Sequence, residues 1–229
     1  MKHAKILITG GGCREAIDGV RFVTNMSTGR TSAFLADALC GQGFAVTAVM
    51  GAGAALPQNS AVQLLRYESG EELLATVLTA LQAAEAENEP YTAVIHAAAV
   101  SDFIPDTVTT GGATYKAGKA LKKLHSGATM TVTFRAAPKI ADRIRAAVGE
   151  RATLMCFKLT NGATEDERQQ AVEKLVSHSA ADYVIRNDLT EITGAAHPFV
   201  VSAKNGETVA CGKTLSELAA ALALLCDKR

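Results

Sequence analysis

The sequence of 229 residues has no tryptophan, and aromatic side chains make up only 5% of it. Proteins that stack sugar rings or single-stranded bases depend on such side chains, so we expect neither activity. An excess of charge is also missing, because 23 basic residues balance 23 acidic ones. A neutral chain has no general attraction for nucleic acid or an anionic membrane. We therefore expect neither partner, and any anion site must use a few placed cations.

A leader segment and a cysteine framework are missing as well. The apolar run of residues 6–8 is followed at once by Thr9 and three glycines, so it is too short for a signal sequence or a membrane span. The five cysteines are an odd number without Cys-x-x-Cys spacing, which is typical of reduced thiols rather than of disulfides or a zinc site. We expect a cytoplasmic protein without a metal site of its own.

Apolar residues are plentiful, and strands alternate with amphipathic helices along most of the chain. The predicted strands are residues 5–9, 45–50, 63–67, 91–96, 129–134, 153–157 and 183–186. The predicted helices are residues 29–42, 71–87, 138–148, 165–177 and 215–226. This alternation predicts an α/β fold, a doubly wound, mainly parallel Rossmann-like sheet with its ligand crevice at the carboxyl ends of the strands.

Two segments depart from this alternation. Between residues 102 and 128 Thr, Gly and Lys dominate, which predicts a flexible flap over roughly 103–128. Residues 199–203 and 207–211 flank Lys204-Asn205-Gly206, and the Asn-Gly pair predicts a C-terminal β-hairpin. We expect one domain over residues 1–229.

The first strand ends in Gly10-Gly11-Gly12, a turn that lets backbone N–H groups approach a phosphate but also fits a tight strand-to-helix connection. The dinucleotide pattern G-x-G-x-x-G is broken by Glu15, and no acidic residue follows the second strand, which argues against an NAD enzyme. Tyr115 and Lys119 match the Tyr-x-x-x-Lys pair of short-chain reductases, although neighbouring glycines make this stretch a poor helix. An NAD(P)-dependent reductase and a non-catalytic nucleotide-binding module remain alternatives.

The polar stretch of residues 10–29 allows two interpretations. In the first, Ser27 or Thr28 caps the following helix, and Arg21 is a surface cation paired with Asp18. In the second, the start of that helix is a phosphate or carboxylate pocket, with Arg21 and Asn25 directed into it.

Residues 8–29, ITGGGCREAIDGVRFVTNMSTG, closely resemble the opening motif of the phosphopantothenate–cysteine ligases. Residues 96–103, HAAAVSDF, resemble the second motif of that family. Residues 157–159, FKL, and 181–188, ADYVIRND, resemble its third and fourth motifs. The four motifs follow the family's order over nearly the whole chain.

The resemblance implies a ligase of coenzyme A biosynthesis. In that family a nucleoside triphosphate, CTP or ATP with Mg²⁺, activates the carboxylate of 4'-phosphopantothenate to an acyl-nucleotidyl anhydride and releases pyrophosphate. The amine of L-cysteine then displaces the nucleoside monophosphate. We further expect a monofunctional enzyme without flavin, since no decarboxylase domain precedes Met1, and a homodimer.

The resemblance also implies roles for single residues. Asn25, with Arg21 beside it, would contact the acyl-nucleotide carbonyl, and Ser27 and Thr28 would bind substrate with them. Lys123 would be the catalytic flap lysine, with Lys119 and Lys122 as open alternatives. The residues implied in nucleotide binding are Gly11, Gly12, His96, Ala97, Ala98, Asp102, Ala137, Pro138, Lys139, Ile140, Phe157, Lys174 and His178.

Three places depart from the family's pattern. Cys13 replaces a usual threonine in the first motif. Residues 137–140 read Ala-Pro-Lys-Ile instead of Asn-Pro-Asp-Ile, which leaves backbone contacts to a triphosphate possible at the start of that helix. His178 replaces a lysine, which predicts a weaker or pH-sensitive phosphate contact. Phe157 is expected to stack on the base, although a Phe that closes a strand is also typical of a core.

Overall fold

The computed structural model describes residues 4–125, 127–194 and 196–227. The strands, in chain order, are β1 (Lys5–Gly10), β2 (Arg14–Ala16), β3 (Phe22–Thr24), β4 (Ala45–Gly51), β5 (Gln63–Tyr67), β6 (Ala93–His96), β7 (Phe103–Thr110), β8 (Ala113–Lys116), β9 (Met130–Ala136), β10 (Thr153–Thr160), β11 (Tyr183–Asp188), β12 (Phe199–Ala203) and β13 (Thr208–Gly212). The helices are α1 (Arg30–Gly41), α2 (Gly70–Ala86), α3 (Ile140–Val148), α4 (Glu165–Ser179) and α5 (Leu215–Cys226).

Eight strands form one sheet in the order β13-β12-β11-β10-β6-β1-β4-β5. The strands from β11 to β5 are parallel, and β12 and β13 add an antiparallel hairpin at one edge. Counted along the chain, the parallel strands have the order 3-2-1-4-5-6 of a dinucleotide-binding fold, so the predicted fold class is confirmed. The order reverses between β1 and β6, which puts the crevice of such folds beyond Gly10 and His96.

Hydrophobic layers cover both faces of the sheet. In β1, Ile6 and Ile8 face the layer built with α1 and α5, whereas Leu7 faces the layer built with α2, α3 and α4. This alternation follows from the two-residue repeat of a strand, and burial on both faces explains its unbroken apolar sequence. Among the described residues, no helix combines the length and the apolar character required to cross a bilayer.

Three helices begin at a side-chain cap, and α1 does not. Ser69, Thr164 and Thr214 each accept a backbone hydrogen bond at the start of α2, α4 and α5. The N-cap residue of α1 is instead Gly29, with φ of 70°, although the hydroxyl of Thr28 accepts a long hydrogen bond from the N–H of Arg30 at 3.5 Å. Because no acidic residue lies in its first turn, the positive end of α1 is not neutralised locally.

The segment predicted as an irregular flap contains regular structure. Strands β7 and β8 form a hairpin around Gly111 and Gly112, whose φ angles of 56° and 81° suit a tight hairpin turn. Strand β9 joins the other side of β7, which gives an antiparallel sheet of order β8-β7-β9. The longest irregular stretch of this segment in the described residues follows β8, at residues 117–125.

Candidate active site at the crossover of the sheet

The loops that follow β1 and β6 are joined by backbone hydrogen bonds at the crevice. The N–H of Ala99 donates to the carbonyl of Gly11 at 2.8 Å, and the N–H of Cys13 donates to the carbonyl of Ala99 at 3.2 Å. Gly11 has a φ of +86°, and a Cβ there would lie 2.6 Å from the Cβ of Ala54. The turn therefore requires glycine at this position, whether or not it also binds a phosphate.

The side chain of Tyr67, at the end of β5, binds the backbone of this glycine turn. Its buried hydroxyl lies 3.0 Å from the carbonyl oxygens of both Gly10 and Gly11, so its proton is shared between them. Burial raises the pKa of Tyr67, which keeps the hydroxyl protonated and able to donate. Tyr67 was not identified from the sequence.

Replacing Tyr67 with Phe is expected to reduce the free energy of unfolding by about 1–2 kcal/mol, since the buried hydroxyl hydrogen bond to the Gly10 and Gly11 carbonyls is lost. Urea unfolding followed by circular dichroism measures this loss. The matched control is Tyr115→Phe, because the Tyr115 side chain is exposed on β8. Equal stability of the two variants would show that the Tyr67 hydroxyl does not support the turn.

Asn25 lies at the mouth of the same crevice. Its Nδ2 donates to the carbonyl of Val100 at 3.0 Å, which links the loop before α1 to the loop after β6. A Cβ on Gly12 would lie 2.6 Å from the carbonyl oxygen of Asn25, so these two backbones are in close contact. The structure thus brings Asn25 and Gly12 together beside residues 97–100, while Ser27 and Thr28 continue from Asn25 towards α1.

The His96 side chain faces the interior of the protein. Its Nδ1 lies 2.8 Å from the hydroxyl of Thr9, and burial lowers the pKa of His96 to about 4, so the ring is neutral at physiological pH. The N–H groups of Ala97 and Ala98 also bind Thr9, through its carbonyl and hydroxyl oxygens respectively, both at 3.2 Å. This leaves the Ala side chains and carbonyls as the parts of this loop that a ligand can contact.

Arg21 contacts a neighbouring loop rather than Asn25. Its Nη2 donates to the carbonyl of Leu124 at 2.5 Å, its Nη1 lies 3.6 Å from the sulfur of Met130, and its Nε lies 3.5 Å from Asp18 Oδ2. The pairing of Arg21 with Asp18 was one of the two interpretations of the sequence. A direct contact of Arg21 with substrate remains a prediction.

The three candidate lysines differ in their surroundings. Lys119 Nζ lies 2.7 Å from Glu68 and 2.8 Å from Glu72, and hydrogen bonds to these two carboxylates raise the pKa of the lysine. Lys122 and Lys123 are exposed, and the described part of the chain holds no carboxylate in ion-pair contact with either. These two lysines are therefore available to a phosphate, whereas Lys119 is already paired.

The positions of Tyr115 and Lys119 do not support the reductase alternative. Tyr115 lies on β8, and Lys119 lies beyond the end of that strand in contact with two glutamates. The Tyr-x-x-x-Lys pair works from adjacent turns of one helix, and no helix is present here, so the two side chains are not arranged for proton transfer.

A second pair of loops meets beside β6. Lys139 Nζ lies 2.5 Å from Asp102 Oδ1, and the N–H of Ala137 donates to the Asp102 carbonyl at 2.9 Å. Pro138 is exposed next to them, whereas the Ile140 side chain is buried in the core. At Ile140 only the backbone at the start of α3 can therefore face a ligand.

The remaining predicted nucleotide residues lie farther from the glycine turn. Phe157 packs against the core layer of α1 and α5, directly after Cys156, which pairs with His96. Lys174 and His178 are exposed on α4, which runs back from the crevice edge because it connects parallel strands β10 and β11. Lys174 lies about 14 Å along that helix from its first residue, Glu165. The structure therefore does not bring Lys174 and His178 to the crevice within this chain.

Asp188, at the end of β11, organises the loops beside the crevice. Its buried carboxylate accepts hydrogen bonds from the hydroxyls of Thr160 and Thr190, at 2.7 and 2.6 Å, and from the N–H groups of Gly162 and Ala163 at 2.8 and 3.2 Å. The hydroxyl and backbone donors hold the pKa of Asp188 well below its ordinary value of 3.8. The carboxylate is thus ionised at neutral pH.

Because the pKa of Asp188 is lowered by folding, its stabilising effect is present above about pH 4 and is lost as the pH falls further. Asp188→Asn is expected to lower the Tm at pH 7, and the difference from the wild type should shrink between about pH 4 and pH 2. Thermal unfolding at several pH values measures this. A difference that stays constant with pH would contradict the assigned role of the charge.

The sequence and the fold of this chain are similar to those of known proteins. The family model described as DNA/pantothenate metabolism flavoprotein C-terminal domain matches residues 1–223. Coenzyme A biosynthesis bifunctional protein CoaBC of Thermococcus kodakarensis is 28% identical over 189 residues, which cover 82% of this chain and 42% of that protein. The chain therefore spans less than half the length of this curated relative.

Two solved structures share the fold. The DNA/pantothenate metabolism flavoprotein from Streptococcus pneumoniae superimposes with a TM-score of 0.82 and 26% identity, covering 96% of both chains. A Cab2 mutant in complex with phosphopantothenate-cysteine superimposes with a TM-score of 0.70 and 15% identity, covering 98% of this chain and 87% of that one. At 15% identity the second likeness concerns the fold alone.

Proposed function

The chain belongs to the family of DNA/pantothenate metabolism flavoprotein C-terminal domains, and on that premise we propose that it is a phosphopantothenate–cysteine ligase of coenzyme A biosynthesis. The observation that carries the proposal is the crevice at the crossover of the sheet. There the amide of Asn25 meets the glycine turn after β1 and the alanine loop after β6. Such a crevice is where doubly wound sheets bind nucleotides.

In the proposed first step, a carboxylate oxygen of 4'-phosphopantothenate attacks the α-phosphorus of CTP or ATP. The new O–P bond forms as the bond to the bridging oxygen breaks, and pyrophosphate leaves with that electron pair. The transferring phosphoryl group carries negative charge that a nearby cation stabilises. We assign this role to Lys123, because it is exposed on the loop after β8 and has a free ammonium group in the described structure.

In the proposed second step, the cysteine amine attacks the carbonyl carbon of the anhydride. The tetrahedral oxyanion collapses, the C–O bond to the phosphate breaks, and the nucleoside monophosphate leaves as the nitrogen releases its proton to solvent. An amide N–H directed at the oxyanion stabilises this intermediate. We assign that donor to Asn25, which exchanges its present partner, the Val100 carbonyl, for the substrate.

The proposed reaction transfers no electrons and therefore requires no flavin. Mg²⁺ enters as the complex of the nucleotide, held mostly through phosphates. The five unpaired cysteines support a cytoplasmic location.

We also propose that the protein is a homodimer. The β8-β7-β9 sheet exposes three aromatic side chains, Phe103 at 59%, Phe134 at 47% and Tyr115 at 40%. Apolar side chains grouped on one exposed sheet are typical of an interface between subunits.

The proposed function is tested by incubating the protein with 4'-phosphopantothenate, L-cysteine, Mg²⁺ and either CTP or ATP. We expect pyrophosphate release that depends on phosphopantothenate, and a ligated product, seen by mass spectrometry, that depends on cysteine. An absence of turnover with both nucleotides would overturn the assignment. Nucleotide binding without pyrophosphate release would support a non-catalytic nucleotide-binding module instead.

A further inference from the structure

The loop of residues 119–124, called here the lysine loop, is attached to the rest of the protein at several points. At its start, the Lys119 side chain binds two glutamates at the β5–α2 junction, at 2.7 and 2.8 Å. In its middle, the carbonyl of Leu121 accepts a hydrogen bond from the N–H of Gly19 at 2.7 Å. The backbone directly before Lys122 is thereby held in place.

The end of the lysine loop is held by a charged pair. The carbonyl of Leu124 accepts from Arg21 Nη2 at 2.5 Å, and the N–H of Leu124 donates to Asp18 Oδ2 at 3.4 Å. The Leu124 side chain is buried, so this residue is anchored by its backbone and by its side chain. Lys123 is the residue directly before this anchor.

The carboxylate of Asp18 contacts both Arg21 and Leu124, the two residues of this attachment. Its side chain is fully buried, and it accepts the N–H groups of Val20 and Arg21 at 2.9 and 2.8 Å as well as that of Leu124. Burial alone raises the pKa of Asp18, but these backbone donors and the charge of Arg21 outweigh it and lower the pKa overall. The carboxylate is therefore ionised at neutral pH and holds its donors strongly.

We propose that Asp18 is a positioning residue, which acts through Arg21 and Leu124 to hold Lys123 at the crevice. The proposal rests on the proposed function, in which Lys123 stabilises the transferring phosphoryl group. A long side chain on a fixed backbone loses less freedom when it reaches its target than one on a free loop. Arg21 contacts the loop through Nη2, while its Nε lies beside Asp18.

The first test measures the attachment itself and needs no substrate. Limited digestion by trypsin reports how often the backbone at Lys122 and Lys123 opens. Asp18→Asn is expected to increase cleavage there about tenfold, since a charge-assisted acceptor is lost. Cleavage at Lys204, exposed in the turn between β12 and β13, should remain within about twofold of the wild type.

Two further variants complete the digestion experiment. Lys119→Met releases the other end of the lysine loop and should also increase cleavage at Lys122 and Lys123. The matched control is Asp182→Asn, since Asp182 likewise binds a backbone N–H, that of Leu154 at 2.9 Å, and an arginine, Arg145 at 2.6 Å. Asp182 precedes β11, which lies on the other side of the central strand β1 from β5, so this control should leave cleavage of the lysine loop unchanged.

The second test asks whether Asp18 acts through Lys123. Asp18→Asn should slow the formation of the acyl-nucleotide about tenfold in single-turnover measurements. The double variant with Lys123→Ala should be no slower than Lys123→Ala alone, because the lysine to be positioned is already missing. A merely destabilising substitution would add its effect to that of Lys123→Ala.

Equal cleavage of the lysine loop in the wild type and in Asp18→Asn would overturn the attachment. Additive losses in the double variant would overturn the positioning of Lys123. A wild-type protein that turns over neither nucleotide would overturn the proposed function, and the digestion result would still decide the attachment.

Discussion

Asn25→Ala is expected to slow the ligation with cysteine by about a hundredfold to a thousandfold, the usual loss when a single oxyanion donor is removed. The first step should be affected much less, because the phosphoryl group there is stabilised by a cation. The acyl-nucleotide should therefore accumulate in this variant. Quenched-flow samples analysed by mass spectrometry measure its amount together with the released pyrophosphate.

The accumulation distinguishes a catalytic amide from a structural one. Asn25 also links two loops through the Val100 carbonyl, so its loss could loosen the crevice as a whole. A loosened crevice would slow both steps together and leave little intermediate. Asn205→Ala, in the exposed turn between β12 and β13, is the matched control and should behave as the wild type.

Lys123→Ala is expected to have the opposite effect on the intermediate. Without its ammonium group the transferring phosphoryl group loses a stabilising charge, so acyl-nucleotide formation should fall by about a hundredfold. Pyrophosphate release and intermediate should decrease together, measured in the same quenched samples. If Lys123→Ala and Asn25→Ala produced equal amounts of intermediate, the two assigned roles would be wrong.

Two other lysine variants make this experiment specific. Lys122→Ala tests the alternative lysine on the same exposed loop, and a larger loss there than at Lys123 would transfer the role. Lys204→Ala removes an exposed charge from the turn between β12 and β13 and should leave both steps unchanged.

Much of the fold could be predicted because the central strands and the helices have regular apolar patterns. Helix α5 was predicted with the bounds observed, since its leucines repeat at helical spacing between a threonine cap and Cys226. The β8-β7-β9 sheet was predicted only at β9. Its hairpin is rich in threonine, whose hydroxyls pair across strands, as at Thr109 and Thr114, so no apolar alternation marks it.

The site could be predicted where its residues are close in sequence, and less well where distant segments meet. The glycine turn and Asn25 belong to one motif, and the structure brings them together. Tyr67 could not be identified, because its hydroxyl binds carbonyls more than 50 residues away. Nor could the sequence indicate that Arg21 binds Leu124, 103 residues further along the chain.

With the proposed function, the protein would meet L-cysteine, a small thiol that forms mixed disulfides with exposed protein thiols once either partner is oxidised. Cys13, beside the glycine turn, is fully buried, and burial with the nearby charge of Glu15 raises its pKa to about 12. It therefore does not form the thiolate that disulfide exchange requires. Cys211, on the outermost strand β13, is exposed. Oxidised cysteine would thus attach more readily at the far edge of the sheet than beside the glycine turn.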